Sequence, residues 1–201
     1  MNALSIRFLR RPVTAVASAA LAAGVLFGGG LAAAPSALAD EPAAEQETAR
    51  FEVDFMKNMI DHHALAVAMA QPYVEKAAHE KLADLCRTIA DSQSAQIEQM
   101  QGWLQDWYGV GHEPRLSPAD KQSVRRLEDL SGERYEVRFM RSMIRHHSGA
   151  GTDSKRCLDR AEHPALLDLC DTIRRSNSKQ IDTMQGWLQQ WYGRQSGYSG
   201  Y

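Results

Sequence analysis

The sequence predicts an all-α protein: a four-helix bundle built from two duplicated helical hairpins with a short linking helix. Three observations carry that reading. FMKNMIDHH at residues 55–63 recurs as FMRSMIRHH at residues 139–147, and the register holds without a gap through MQGWLQDWYG (100–109) and MQGWLQQWYG (184–193). Between residues 51–109 and 135–193 roughly half the positions are identical, the mark of an internal duplication. Within each copy the apolar residues recur at alternating steps of four and three, and no β-type alternation competes with them.

The elements follow in chain order. Residues 1–39 read as a cleaved export signal. Arg7, Arg10 and Arg11 lead an Ala-rich apolar run from Val13 to about Leu31, and Ala37-Leu38-Ala39 sets small residues before Asp40. A retained membrane anchor is the competing reading, which the Gly and Ala content and the A-x-A ending disfavour. Arg10-Arg11 raises the twin-arginine route, but no further motif residue supports it. Residues 40–48 are expected to be flexible.

One bundle domain over 49–193 comes next, made of repeat one (51–109), a linker (110–131) and repeat two (132–193). In repeat one, Phe55, Met59, His62, Ala66, Met69 and Tyr73 mark the seam of a first helix. Leu82, Leu85, Ile89, Gln96, Met100, Trp103 and Trp107 mark a second. Breaks near 76–81 and 160–165 close the two hairpins. Inside the linker, Ser117-Pro118-Ala119-Asp120 signals a helix start, with Ser as N-cap and Pro in the first turn. Ser131-Gly132 ends that short helix, Gly109 and Gly193 stop the long ones, and residues 194–201 form a flexible tail. Two hairpins then share one core, because a lone hairpin buries too little to stand by itself.

The formal net charge of the 201 residues is −2, and no basic stretch is interleaved with aromatics, so a nucleic-acid partner is excluded. Beyond the signal no run is long and apolar enough to span a bilayer, so no stable membrane insertion is expected after cleavage. An exported chain with three Cys has one left over. A Cys157–Cys170 disulfide follows if a hairpin turns near His163-Pro164, leaving Cys86 free. The alternatives are Cys86–Cys170 across a pseudo-twofold axis, or unpaired thiols.

The chemistry concentrates where His and Met meet. Met59 lies three residues before His62 and four before His63, so its thioether can reach either imidazole. Met56 is one turn back and Met69 two turns on. His62 falls on the Phe55/Met59 seam and His63 on the adjoining Met56/Ile60 stripe, so both point toward protein. Antiparallel pairing about residue 78 places Gln96 opposite His62 and Met100 opposite Met56. Repeat two reproduces the set with Met140, Met143, His146, His147, Gln180 and Met184.

Soft thioethers with borderline imidazoles favour copper, Cu(I) above all. Zinc would want thiolate or carboxylate, which this layer lacks. The candidate ligands are therefore His62, His63, Met56, Met59 and Met69, with His146, His147, Met140 and Met143. Met100 and Met184 read as core filler, His79 and His163 as local caps near the turns, His112 as a solvated linker residue. The paired Trp of each copy read as core packing at the end of the bundle.

These residues resemble the bacterial family catalogued as domain of unknown function 305, for which a ferritin-like helical fold is implied. Glu52, Phe55, Met59, Ile60, His62, His63, Ala66, Met69 and Ala70 carry its signature in repeat one. Glu136, Phe139, Met143, Ile144, His146, His147 and Ala150 carry it in repeat two. The family's later Gln-x-x-Glu-Ile-x-x-Met pattern matches Gln93, Gln96, Ile97 and Met100, and Asn177, Gln180, Ile181 and Met184.

The resemblance implies exported copper binding and tolerance. Gln replaces the family's Glu at 96 and 180, which removes the carboxylates a hard metal would want. Asp153-Ser154 stands where repeat one has Met69-Ala70, which weakens the second site. The expected function is copper sequestration or trafficking with no reaction attached. A metal-free structural or interaction bundle is the alternative. A di-metal oxidoreductase is disfavoured, since neither copy contains Glu-x-x-His.

Overall fold

The computed structural model describes residues 42–73 and 76–193. The export signal (1–39) and the tail (194–201) lie outside the described residues. Among the described residues five α-helices follow one another: α1 (Gln46–Ala70), α2 (Glu80–Tyr108), α3 (Pro118–Glu128), α4 (Gly132–Arg160) and α5 (Pro164–Tyr192). Among the described residues there is no strand. α1 packs along α2 and α4 along α5, forming the two hairpins. α1 against α4 joins the hairpins, and α3 lies on both of these inner helices.

Local chemistry explains the boundaries. α2 and α5 both end on a left-handed glycine, Gly109 at φ 62° and Gly193 at φ 60°, where a side chain would be strained. α3 starts at a full capping box: the Asp120 amide donates to the Ser117 hydroxyl, and the Asp120 carboxylate accepts from the Ser117 amide. The two first helices differ in length, 25 residues for α1 and 29 for α4. Pro72 accounts for this. It disfavours helix at Gln71 and cannot sit inside a helix, so α1 gives way to a single 3-10 turn at Gln71–Tyr73. Arg156 holds the equivalent position in α4, and that helix runs on.

α1 begins at Gln46, inside the stretch 40–48 read as flexible. Glu47 in its first turn suits the positive helix end and pairs with Arg160 at 3.1 Å. The core is rich in thioethers. Met56, Met59, Met69, Met100, Met140, Met143 and Met184 are all buried. Cys157 and Cys170 are joined across the α4–α5 turn with Cα atoms 6.2 Å apart, and Cys86 is a buried free thiol. Burial, with the Glu136 charge, pushes the Cys86 thiol up to about 12, which keeps it protonated and unreactive.

Candidate functional site

Successive residues on an α-helix project about 100° apart, so the two histidines of each pair face different neighbours. His63 turns toward α2, where its Nε2 donates to Gln96 Oε1 at 2.8 Å. His147 does the same toward α5, donating to Gln180 Oε1 at 2.6 Å. His62 and His146 meet across the α1–α4 seam instead. Their ring centroids are 3.6 Å apart, and His146 Nε2 donates to the His62 carbonyl oxygen at 2.8 Å. The expected Gln96–His62 pairing is thus corrected to Gln96–His63. The two adjoining stripes of α1 meet different helices, and the one facing α2 carries the later residue of the pair.

These bonds fix the chemistry of the rings. A carbonyl or amide oxygen only accepts, so Nε2 of His63, His146 and His147 must carry the proton. Nδ1 is then left with a lone pair. In all four histidines Nδ1 is buried and has no hydrogen-bond partner in the protein. Leaving such a group unpaired costs on the order of 1–3 kcal/mol. The rings are also held neutral. Burial, with the His62 charge, lowers His63 to about 3 against the help of Gln96. Burial lowers His147 to about 4, and His146 is depressed well below its ordinary value by burial and the neighbouring imidazoles. Burial lowers His62 too, partly offset by Asp153. Four neutral imidazoles with unpartnered Nδ1 atoms, three of them with N–H groups oriented by an acceptor on Nε2, are chemically ready to ligate a soft or borderline cation.

The thioethers stand on the same helices. Met59 and His62 form part of the wall of a cleft of about 570 Å³ between α1 and α4. Met56 is fully buried, and Met69, Met140 and Met143 belong to the main hydrophobic cluster with Met184. Among the described residues no group of three or more His, Cys, Asp or Glu side chains is arranged to hold a metal ion. A centre here therefore has to mix imidazole with thioether.

The remaining histidines do other work. His79 and His163 are the N-cap residues of α2 and α5, but their rings make no local cap. Each is bound by a buried glutamate of the other repeat. Glu52 accepts from His163 Nδ1 at 2.5 Å, from the backbone amides of Glu162 and His163, and from the Tyr108 hydroxyl. Glu136 accepts from His79 Nδ1 at 2.7 Å, from the His79 amide and from the Tyr192 hydroxyl.

Trp107 stacks on His163 and Trp191 on His79, both at 3.9 Å. Burial alone would raise both carboxyl groups, but these donors outweigh it and hold them below the ordinary value. The local-cap reading is therefore corrected to a pair of cross-repeat latches, and the paired Trp are parts of them. His112 is not solvated either, for Asp61 bonds its Nε2 at 2.9 Å and its side chain is 11% exposed. Glu52 and Glu136 went unassigned although a signal was present: each lies three residues before the seam Phe and seven before the seam Met, on the face that must be buried.

The family model described as Domain of unknown function (DUF305) matches residues 52–177 and again 136–200. The chain belongs to the DUF305 family. Its two matches begin at Glu52 and Glu136, the latch glutamates. Among solved structures, CopM in the Cu(I)-bound form is 31% identical with a TM-score of 0.63, over 71% of this chain and 98% of that one. CopM in the Cu(II)-bound form is 29% identical with a TM-score of 0.64, over 70% and 97%. A DUF305 fragment from Deinococcus radiodurans is 31% identical with a TM-score of 0.63, over 74% and 99%. No curated protein matches the chain. The DUF305 helical bundle is thus the fold of this protein, and no helix among its described residues is long and apolar enough to cross a membrane.

Proposed function

We propose that this DUF305 protein is an exported, non-catalytic copper-binding protein that sequesters or hands on Cu(I). The observation that carries the reading is the set of four neutral histidines, two buried and two half-buried, whose Nδ1 atoms are all buried and have no hydrogen-bond partner in the protein. Buried methionines flank them on the same helices, and the closely similar CopM fold binds Cu(I), Cu(II) and Ag. The ligands are drawn from His62, His63, Met56, Met59 and Met69 on α1 and from His146, His147, Met140 and Met143 on α4. Soft thioether with borderline imidazole selects Cu(I), and neutral rings bind it without a proton to displace. Residues 1–39 direct export, and residues 49–193 act as one duplicated domain.

A metal-free structural bundle would use Gln96 and Gln180 to satisfy the histidines. They satisfy one nitrogen of His63 and of His147 and leave the second nitrogen open, which favours ligation. An oxidoreductase is not supported, because the buried glutamates are engaged by His, Tyr and backbone amides rather than facing the histidine layer. The test is a Cu(I) titration of residues 40–201 against a chromophoric chelator. Competition that His62→Ala/His63→Ala abolishes, with the fold intact by circular dichroism, supports the reading. No competition by the unaltered protein would overturn it.

A further inference from the structure

The duplication should give two equivalent clefts beside the α1–α4 seam, and the structure has one open and one filled. The open cleft, about 570 Å³, is walled by Phe51, Phe55, Met59 and His62 of α1 and by Asp153 of α4. Adding or subtracting the repeat interval of 84 residues gives the other side: Tyr135, Phe139, Met143, His146 and Met69.

There α3 occupies the space. Val124 and Leu127 of α3 share one buried cluster with Tyr135, Phe139, Met143 and Met69. Tyr135, Phe139 and Met143 retain 0% exposure and Met69 3%, whereas Phe51 and Asp153 on the open side remain half-buried. The capping box of α3 makes this plug a firmly specified helix rather than a loose strap.

We infer that the open cleft is the port through which copper reaches and leaves the histidine layer, and that α3 closes the pseudo-symmetric route so that exchange is one-sided. The inference rests on the copper reading above and deepens it. It also explains the replacement of Met69 by Asp153 in repeat two. Under the plug the position must be apolar. At the open mouth it is wet, and a carboxylate there, with Glu47 and Asp54, offsets Arg50, Arg156 and Arg160 on the same walls and acts on the charge of His62. The Asp153 side chain is 49% exposed and paired with Arg156 at 3.4 Å, so it does not trap an ion in the mouth.

The test is the rate of Cu(I) uptake and release by the purified protein, followed by stopped flow, beside the equilibrium affinity. Asn58 is an exposed residue on the wall of the cleft. Asn58→Trp fills the mouth without touching the core and should slow both rates roughly tenfold or more with the affinity unchanged. Val124→Ala/Leu127→Ala, which loosens the plug, should restore fast exchange to the Asn58→Trp protein. If the double variant fails to fold, Asn58→Trp alone decides. Wild-type rates in Asn58→Trp, or a lost affinity with unchanged rates, would overturn the port. Absence of Cu(I) uptake by the wild-type protein would instead remove the copper reading, and the port with it.

Discussion

Two kinds of histidine coexist here. In the latches, His79 and His163 present Nδ1 to a glutamate that also collects a tyrosine hydroxyl and backbone amides. In the central layer, His63, His146 and His147 are held by acceptors on Nε2, His62 stacks on His146, and Nδ1 is left over in all four. Residue type is alike in the two places and each mixes buried rings with more exposed ones, so the partners make the difference. A carboxylate partner makes a histidine structural, whereas a carbonyl partner orients it and leaves a lone pair for something else. Burying a histidine is therefore weak evidence for a ligand, and burying one with an unspent nitrogen is much stronger.

Acid should separate the two regions most sharply. The layer histidines have folded values below 6.5, down to about 4 for His147 and about 3 for His63. The unfolded chain therefore binds more protons in that window, and stability falls as pH falls. The layer's contribution is complete above about pH 6.5 and is lost progressively toward pH 4 and 3. The latch glutamates, held below 4.5, contribute fully above that value and fail only beneath it. Denaturation followed from pH 8 to 3 should show a first decline starting near 6.5. That decline should shrink in His63→Leu/His147→Leu, while the decline below 4.5 stays. A single decline confined to pH below 4.5 would contradict the histidine assignment.

Breaking a latch is the next largest effect. Glu52→Ala leaves the Tyr108 hydroxyl, two amides and the His163 ring without their acceptor, and should cost about 3 kcal/mol of unfolding free energy. Urea denaturation measures it, and Cu(I) affinity of the folded protein should not change. The converse variant is His62→Ala/His63→Ala. It should lower Cu(I) affinity about a hundredfold or more, near 2.7 kcal/mol, with little loss of stability, because it removes two unsatisfied nitrogens. Destabilisation by this pair without loss of Cu(I) binding would reverse the two roles.

Much of this was legible beforehand, for definite reasons. The helices, the hairpins and the duplicated His-Met layer follow from a strong apolar rhythm and an exact register between copies. What escaped has a common cause. Pairing the helices by height about residue 78, without asking which of the two stripes of α1 turns toward α2, matched Gln96 with His62 rather than His63. Glu52 was read only as a signature residue rather than a buried anchor, although its place three before Phe55 put it on the buried seam. The side on which α3 lies was not readable at all, since a capping box fixes where a helix starts and says nothing of what it covers.

The smallest effect tests the idea that acceptors orient the layer. Gln96→Ala removes the oxygen that holds the His63 N–H and leaves every candidate ligand in place. If that bond sets the ring so that Nδ1 faces the layer, affinity for Cu(I) should fall roughly tenfold, as outer partners of metal-bound histidines usually cost. Gln96→Glu supplies a stronger acceptor at the same place and should restore affinity. Gln180→Ala repeats the experiment for His147. A loss at Gln96 without one at Gln180 would assign the bound ion to α1, where Met59 and His62 line the open cleft, and a matched loss would place both repeats around it.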